Sequence, residues 1–177
     1  MCAGQINPTV GDFENNFKLI EETVKKAVEL SGDIVIFPEL AVTGYPPEDL
    51  LLKPSFIGKN IEYIEKIKHL SENIVIVCGF IGRENEIYNS AAIMYKKKIL
   101  NVYNKEHLPN YSVFDEERYF QKGTANKIFK INNILTGVNI CEDIYYSDGP
   151  AKTQAVLGGA QLIINISASP YHAGKIY

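Results

Sequence analysis

The chain has 177 residues, 46% hydrophobic and 22% charged, with a net charge of -3. That is enough apolar material for one domain with a true core, and there is no basic excess of the kind that marks a nucleic-acid partner. No apolar stretch approaches the roughly 20 residues that span a bilayer, and the N-terminus lacks the basic and apolar regions of a secretory signal.

In chain order, residues 3–8 read as the tail of a strand and a turn, and a clipped first strand is expected. Phe13, Phe17, Ile20, Val24 and Ala27 or Val28 recur at helical spacing, with Asp12 as N-cap and a stop near Ser31-Gly32. Residues 33–38 are a short apolar run fit for a strand buried on both faces, and a loop rich in Pro, Gly and Tyr follows at 43–47. Phe56 or Ile57, Ile61, Ile64 and Ile67 mark a second amphipathic helix, and residues 74–80 a further buried strand. Residues 90–95 and 99–103 read as a hairpin around Lys96-Lys97-Lys98, a solvated turn. Residues 127–131 and 134–140 pair around Asn132-Asn133, which tolerate left-handed backbone. A helix over 151–157, closed by Gly158-Gly159, precedes a last buried strand at 161–166. This order predicts a single α/β domain with a mixed sheet and no linker or repeat.

Cys2, Cys78 and Cys141 are scattered and odd in number, which argues for a reducing, cytoplasmic setting rather than a disulfide framework. His69, His107 and His172 have no metal-ligand spacing with them, so no metal site is expected. Cys78, inside the run 74–80, reads as core.

Three apolar runs end in a chemically capable residue: 34–39 in Glu39, 99–105 in Lys105, and 134–140 just before Cys141. Open α/β sheets bind ligands beyond the carboxyl ends of their strands. Each residue has a plainer reading alone: a salt-bridge or capping Glu, a solvated Lys, a small core Cys. Their shared position is the signal. A cysteine thiolate is a nucleophile, a carboxylate can take its proton, and an ammonium can stabilise a developing oxyanion. Glu142, next to Cys141, would raise the thiol pKa by like-charge repulsion; Lys105 offsetting that charge, or Glu39 acting as base, resolves the conflict. A Cys–His hydrolase using His107 or His172 is a weaker arrangement, since no Asn or Asp orients either ring.

The wording around these positions adds a resemblance. Phe37-Pro-Glu39-Leu-Ala-Val-Thr-Gly-Tyr45, Asn104-Lys105-Glu-His-Leu-Pro-Asn-Tyr111, Phe114-Asp-Glu-Glu-Arg-Tyr-Phe120 and Asn139-Ile-Cys141-Glu-Asp143 resemble the nitrilase, or carbon–nitrogen hydrolase, superfamily. Within it they look like the glutamine amidotransferase domains of glutamine-dependent NAD+ synthetases, and the segments 5–12 and 167–175 fit the same subgroup. The resemblance implies an α-β-β-α sandwich, with a mixed two-sheet core flanked by helices and the C-terminal part of the domain missing. It implies Glu39 as general base, Lys105 as cationic stabiliser and Cys141 as nucleophile. Glu116 is the implied additional glutamate, although Glu117 leaves that register open. Tyr45, Tyr111, Glu142, Tyr145, Ser169 and Lys175 would bind L-glutamine. Some relatives carry phenylalanine where Tyr145 stands, and some carry arginine where Lys175 stands.

No cofactor is implied at the amidase site. The released ammonia would serve a synthetase domain that uses ATP and Mg2+ to amidate deamido-NAD+, and the 177 residues hold no Ser-Gly-Gly-type loop or Walker A motif. The resemblance further implies a homo-oligomer in the full-length protein. Two other readings stand beside this one: an amidase for nitrile, ω-amide or carbamoyl substrates, and a truncated inactive remnant or interaction module.

Overall fold

In a computed structural model, which describes residues 1–112, 114–170 and 173–174, two sheets pack across an apolar seam. The first runs in the order β1 (Cys2–Ala3), β2 (Ile34–Ile36), β3 (Val75–Arg83), β4 (Ile87–Tyr95), β5 (Lys98–Asn104). It is parallel through β3 and antiparallel beyond it. The second has β7 (Ile134–Ile140) at its centre, antiparallel to β6 (Ile128–Ile131) and parallel to β8 (Leu162–Ile166). Two antiparallel steps turn β5 back along β2, so both strands end at the same edge.

The continuous apolar runs follow from burial on both faces. Along β3, Ile76 and Cys78 pack toward the helices, while Val77 between them packs in the seam. Along β4, Ala92 and Met94 take the helix side, and Ala91 and Ile93 the seam. Val138, Ile140, Ile164 and Ile166 meet the seam from the second sheet.

Two helices cover the other face of the first sheet: α1 (Phe13–Glu29) and α2 (Pro54–His69). Asp12 caps α1 by accepting Asn15 N–H at 3.2 Å, as its position predicts. Ala27 is buried and Val28 exposed, while Phe56 and Ile57 are both buried, which settles the two register alternatives. The helices also bury amides that hold a loop and a strand in place. Asn16 Nδ2 donates to Val42 O (3.2 Å), and the Asn60 side chain pairs with both backbone groups of Ile81 (2.7 and 3.0 Å).

Both expected tight hairpins form, with both central residues left-handed: Lys96 and Lys97 (φ 52 and 57°), Asn132 and Asn133 (φ 46 and 66°). Lysine gains nothing from that conformation. Ser71 compensates, since its carbonyl accepts Lys96 N–H at 2.7 Å and its hydroxyl accepts Lys97 N–H at 3.2 Å.

Two expectations need correction. The strands expected at 74–80 and 90–95 extend to Arg83 and back to Ile87, and pair as a further long hairpin. The helix expected over 151–157 forms and ends at Gly158, but only Pro150–Lys152 (α3) is α-helical, and Thr153–Leu157 continues it as a wider π-turn. The wider turn lets Gln154 reach the second sheet, where Nε2 donates to Val138 O at 2.8 Å. Gly137 makes room for it, because a Cβ there would lie 2.5 Å from Gln154 Oε1 and 2.9 Å from its Cβ.

Candidate active site

Glu39 sits in a turn that leaves β2 and folds onto β3. Val42 N–H donates to Gly79 O at 3.2 Å, and Gly79 N–H to Pro38 O at 3.2 Å. A Cβ at Gly79 would lie 2.4 Å from both Leu40 N and Pro38 O, so only glycine lets the turn rest this closely on the strand. Lys105 follows β5 directly, and its N–H donates to Asn89 O at 2.9 Å. Glu116 opens a short 3-10 turn, Glu116–Arg118.

These three side chains meet in the interior. Lys105 Nζ lies 2.7 Å from Glu39 Oε1, 2.9 Å from Glu116 Oε2 and 3.0 Å from Glu116 Oε1. Glu39 and Lys105 are 2% and 1% exposed, so water screens them little. Burial alone would depress the lysine pKa; Glu39 and Glu116 outweigh it and hold the ammonium above the ordinary lysine range. Burial raises the Glu116 pKa, with Lys105 opposing and Glu39 adding to the rise. Two neutral donors join the cluster. Asn89 Nδ2 reaches Glu39 Oε1 (2.8 Å) and Glu116 Oε2 (3.3 Å), and the Tyr45 hydroxyl donates to Glu116 Oε1 (2.9 Å).

Cys141 stands where β7 breaks into a 3-10 turn, Cys141–Ile144, with φ 43° in the left-handed region that non-glycine residues avoid. Amide side chains hold this backbone. Asn165 Nδ2 donates to Cys141 O (3.2 Å) and Asn139 Oδ1 (2.6 Å), and Asn139 Nδ2 donates in turn to Gln154 Oε1 (3.1 Å). Cys141 Sγ accepts from the Ser167 hydroxyl at 3.3 Å and lies 3.1 Å from Ser169 Oγ. Between those serines, Ala168 N–H donates to Glu39 Oε2 at 3.0 Å. One loop after β8 therefore touches both the sulfur and the carboxylate. Burial pushes the Cys141 thiol pKa up and Glu39 adds to the rise, while the serine hydrogen bonds and Lys105 pull it down. The outcome is a resting thiol that needs a base at the moment of attack.

The structure brings most of the expected site residues together. Tyr111 OH donates to Glu142 Oε2 at 2.9 Å, and Tyr111 and Tyr45 both pack on Phe114. A cleft of about 280 Å³ is lined by Glu39, Tyr45 and residues 167–169. Of the paired glutamates, Glu116 is the one that reaches Lys105, while Glu117 is exposed and pairs with Lys122. Tyr145 is exposed, and its backbone N–H closes the turn on Glu142 O. Lys175 lies outside the described residues, as does His172. His107 stacks on Tyr146 at 3.9 Å, whereas the hydrogen-bonding neighbours of the sulfur are serines. Asn89, Ser167 and Asp143 were not foreseen. A polar residue inside an apolar strand could have flagged Asn89, whereas Asp143 and Ser167 lie in a turn and a loop and carry no such signal.

Residues 2–176 match the family model for carbon-nitrogen hydrolases. The chain belongs to the carbon-nitrogen hydrolase family. It is 46% identical over 173 residues to a glutamine-dependent NAD(+) synthetase from Thermotoga maritima, covering 97% of this chain and 30% of that protein. The protein of the same name from Aquifex aeolicus is 43% identical, with 99% and 31% covered. The chain thus spans under a third of the length of these two relatives. Among solved structures, the glutamine-dependent NAD+ synthetase from Acinetobacter baumannii in complex with adenosine diphosphate superposes with a TM-score of 0.87 at 40% identity, covering 97% of this chain and 32% of that one. An amidase from Nesterenkonia sp. shares the fold, with a TM-score of 0.86 at 19% identity and coverage of 98% and 66%. The expected two-sheet, helix-flanked fold of this hydrolase family is therefore the one observed, across the N-terminal part of the domain. Among the described residues no helix is long and apolar enough to cross a membrane.

Proposed function

We propose that this chain is the glutamine-hydrolysing part of a glutamine-dependent NAD+ synthetase. The observation that carries the reading is the buried Glu39–Lys105–Glu116 cluster, joined to Cys141 through the 167–169 loop. Relatives 46% and 43% identical bear that name. The Tyr111–Glu142 pair supports glutamine as substrate, since an anionic carboxylate beside the nucleophile suits the α-ammonium of an amino acid.

In the first half-reaction the Cys141 sulfur attacks the side-chain amide carbon as its proton passes to Glu39. Lys105 stands ready to stabilise the tetrahedral oxyanion. Collapse breaks the C–N bond, Glu39 gives the proton to the departing nitrogen, and ammonia leaves a thioester on Cys141. In the second, Glu39 takes a proton from water, hydroxide adds to the thioester carbon, and the C–S bond breaks. Glu39 returns its proton to the departing sulfur, so glutamate leaves and both the thiol and the carboxylate are restored. Glu116 and Tyr45 keep the lysine aligned throughout. These steps use side chains alone. ATP and Mg2+ belong to the reaction that consumes the ammonia, the amidation of deamido-NAD+ in a synthetase domain.

The test is labelling with a diazo-ketone analogue of glutamine, read by mass spectrometry. The expected adduct is on Cys141, and L-glutamine protects against it. Labelling that glutamine does not slow would transfer the reading to another amide substrate, and a folded protein that takes no label would end it.

A further inference from the structure

Asp143 is fully buried in the turn that begins with Cys141, and its two carboxylate oxygens accept four hydrogen bonds. Oδ2 accepts from the Tyr103 hydroxyl (2.8 Å) and Ile140 N–H (3.1 Å); Oδ1 accepts from Glu106 N–H (3.1 Å) and His107 N–H (2.8 Å). The donors come from both sheets. Tyr103, Glu106 and His107 bracket Lys105 in sequence, and Ile140 immediately precedes Cys141.

Between their strands the sheets meet through the apolar seam of Val77, Ala91, Ile93, Val138, Ile140 and Ile164. The other polar links between the two halves, Asn132–Asp33, Lys127–Asn101, Tyr111–Glu142 and Ala168 N–H on Glu39, are exposed or part-buried single bonds. Apolar contact is non-directional; it fixes the spacing of two sheets far better than their sliding. The bonds on Asp143 are directional and charge-assisted. They lie at the edge where both catalytic loops emerge. We propose that Asp143 is a positioning residue that sets the registry between the Lys105 ammonium and the Cys141 thiol, by clamping the loop after β5 to the turn after β7. The inference rests on the amidase reading for what that registry serves.

Asp143→Asn keeps shape and removes the charge. Its Nδ2 has to face at least one backbone N–H, so the clamp loosens. The primary readout is the pH profile of Cys141 alkylation by iodoacetamide, followed at the Cys141 peptide by mass spectrometry, which requires no glutamine turnover. With Lys105 displaced from the sulfur, the midpoint is expected to rise by about one pH unit. Glutamine-dependent ammonia release is expected to fall on the order of 100-fold in kcat, with KM little changed, as for a small misplacement of reacting groups. A through-space effect has the opposite sign, because deleting a negative charge near a thiol lowers its midpoint. A folded Asp143→Asn protein whose midpoint stays or falls overturns the proposal.

Tyr103→Phe removes one of the four donors with no change of charge, and is expected to move the midpoint upward by a smaller step. If Asp143→Asn does not fold, an unmoved midpoint in Tyr103→Phe overturns the proposal by itself. Midpoints that shift as expected in a chain releasing no ammonia from glutamine would leave the clamp standing while the glutaminase reading falls.

Discussion

Glu39, Lys105 and Glu116 are held by charge at the edge of the five-stranded sheet, whereas Cys141 is held by backbone geometry and neutral amides at the edge of the three-stranded one. The surroundings differ in the same way. The first sheet lies beneath two helices of 17 and 16 residues. Among the described residues the second carries only the short α3 and its π-turn, where Val156 and Leu157 are 70% and 82% exposed. A buried ionic cluster depends on all its members, because deleting one strands the others without water. A strained turn depends on the groups that hold its backbone. The two halves should therefore fail differently.

The largest effect is expected from Lys105→Met. It leaves two buried carboxylates without a cation and should cost roughly 3–5 kcal/mol of stability in urea or thermal unfolding, together with ammonia release. The pH dependence identifies the cause. Unpaired buried carboxyls have folded pKa values above their unfolded ones, so the stability they allow is present at low pH and lost as pH rises through the folded value. The variant should be more stable relative to wild type at pH 5 than at pH 7.5. A deficit that does not vary with pH would mean the loss is one of packing.

Gly79→Ala tests the support beneath the same half. Its Cβ would lie 2.4 Å from backbone atoms of the turn that carries Glu39, so the turn must lift. The expected cost is about 1–3 kcal/mol, typical of overpacking. Activity should fall further than stability does, since the base moves. Wild-type turnover from this variant would show that the turn tolerates displacement.

How much of this was legible without coordinates depends on how local each feature is. The helices α1 and α2 announce themselves by period, because each buries a single stripe. Glu39, Lys105 and Cys141 were legible because each ends an apolar run. Asn89 was hidden because a buried polar residue within β4 mimics a loop, and its purpose lies on residues 50 and 27 positions away. Asp143 read as one more acidic residue beside Glu142; its donors lie up to 40 positions away on another sheet. The helix over 151–157 was legible, but its widening to a π-turn was not, because the reason, Gln154 reaching Val138, is also tertiary.

Glu39→Gln separates the two jobs of one carboxylate. As a base it is required, so ammonia release should fall to near background. As a charge it raises the Cys141 thiol pKa, so removing it should lower the alkylation midpoint by about one pH unit. The variant would then react faster with iodoacetamide near pH 8 while failing to hydrolyse glutamine. A midpoint that rises would sink the assignment of Glu39 as the charge facing the sulfur.

The smallest change is expected on the nucleophile half, in Ser169→Ala. Its hydroxyl lies 3.1 Å from Cys141 Sγ and, with Ser167, lowers the thiol pKa. A hydrogen bond of this kind is worth about 1 kcal/mol, or somewhat under one pH unit at roughly 1.36 kcal/mol per unit. The alkylation midpoint should move up by about half a unit, opposite in sign to Glu39→Gln. The folded thiol is already raised above its ordinary value of 9.0, mainly by burial. Its contribution to stability is therefore complete below the unfolded pKa and lost as pH rises through the folded one. Ser169→Ala widens that window. Near pH 7 its stability should match wild type within about 0.5 kcal/mol, as for an ordinary half-exposed position, and any further difference should emerge only in urea titrations above pH 9, where thiols ionise. A loss of several kcal/mol at neutral pH would instead show that the 167–169 loop, like the Lys105 cluster, is a structural support.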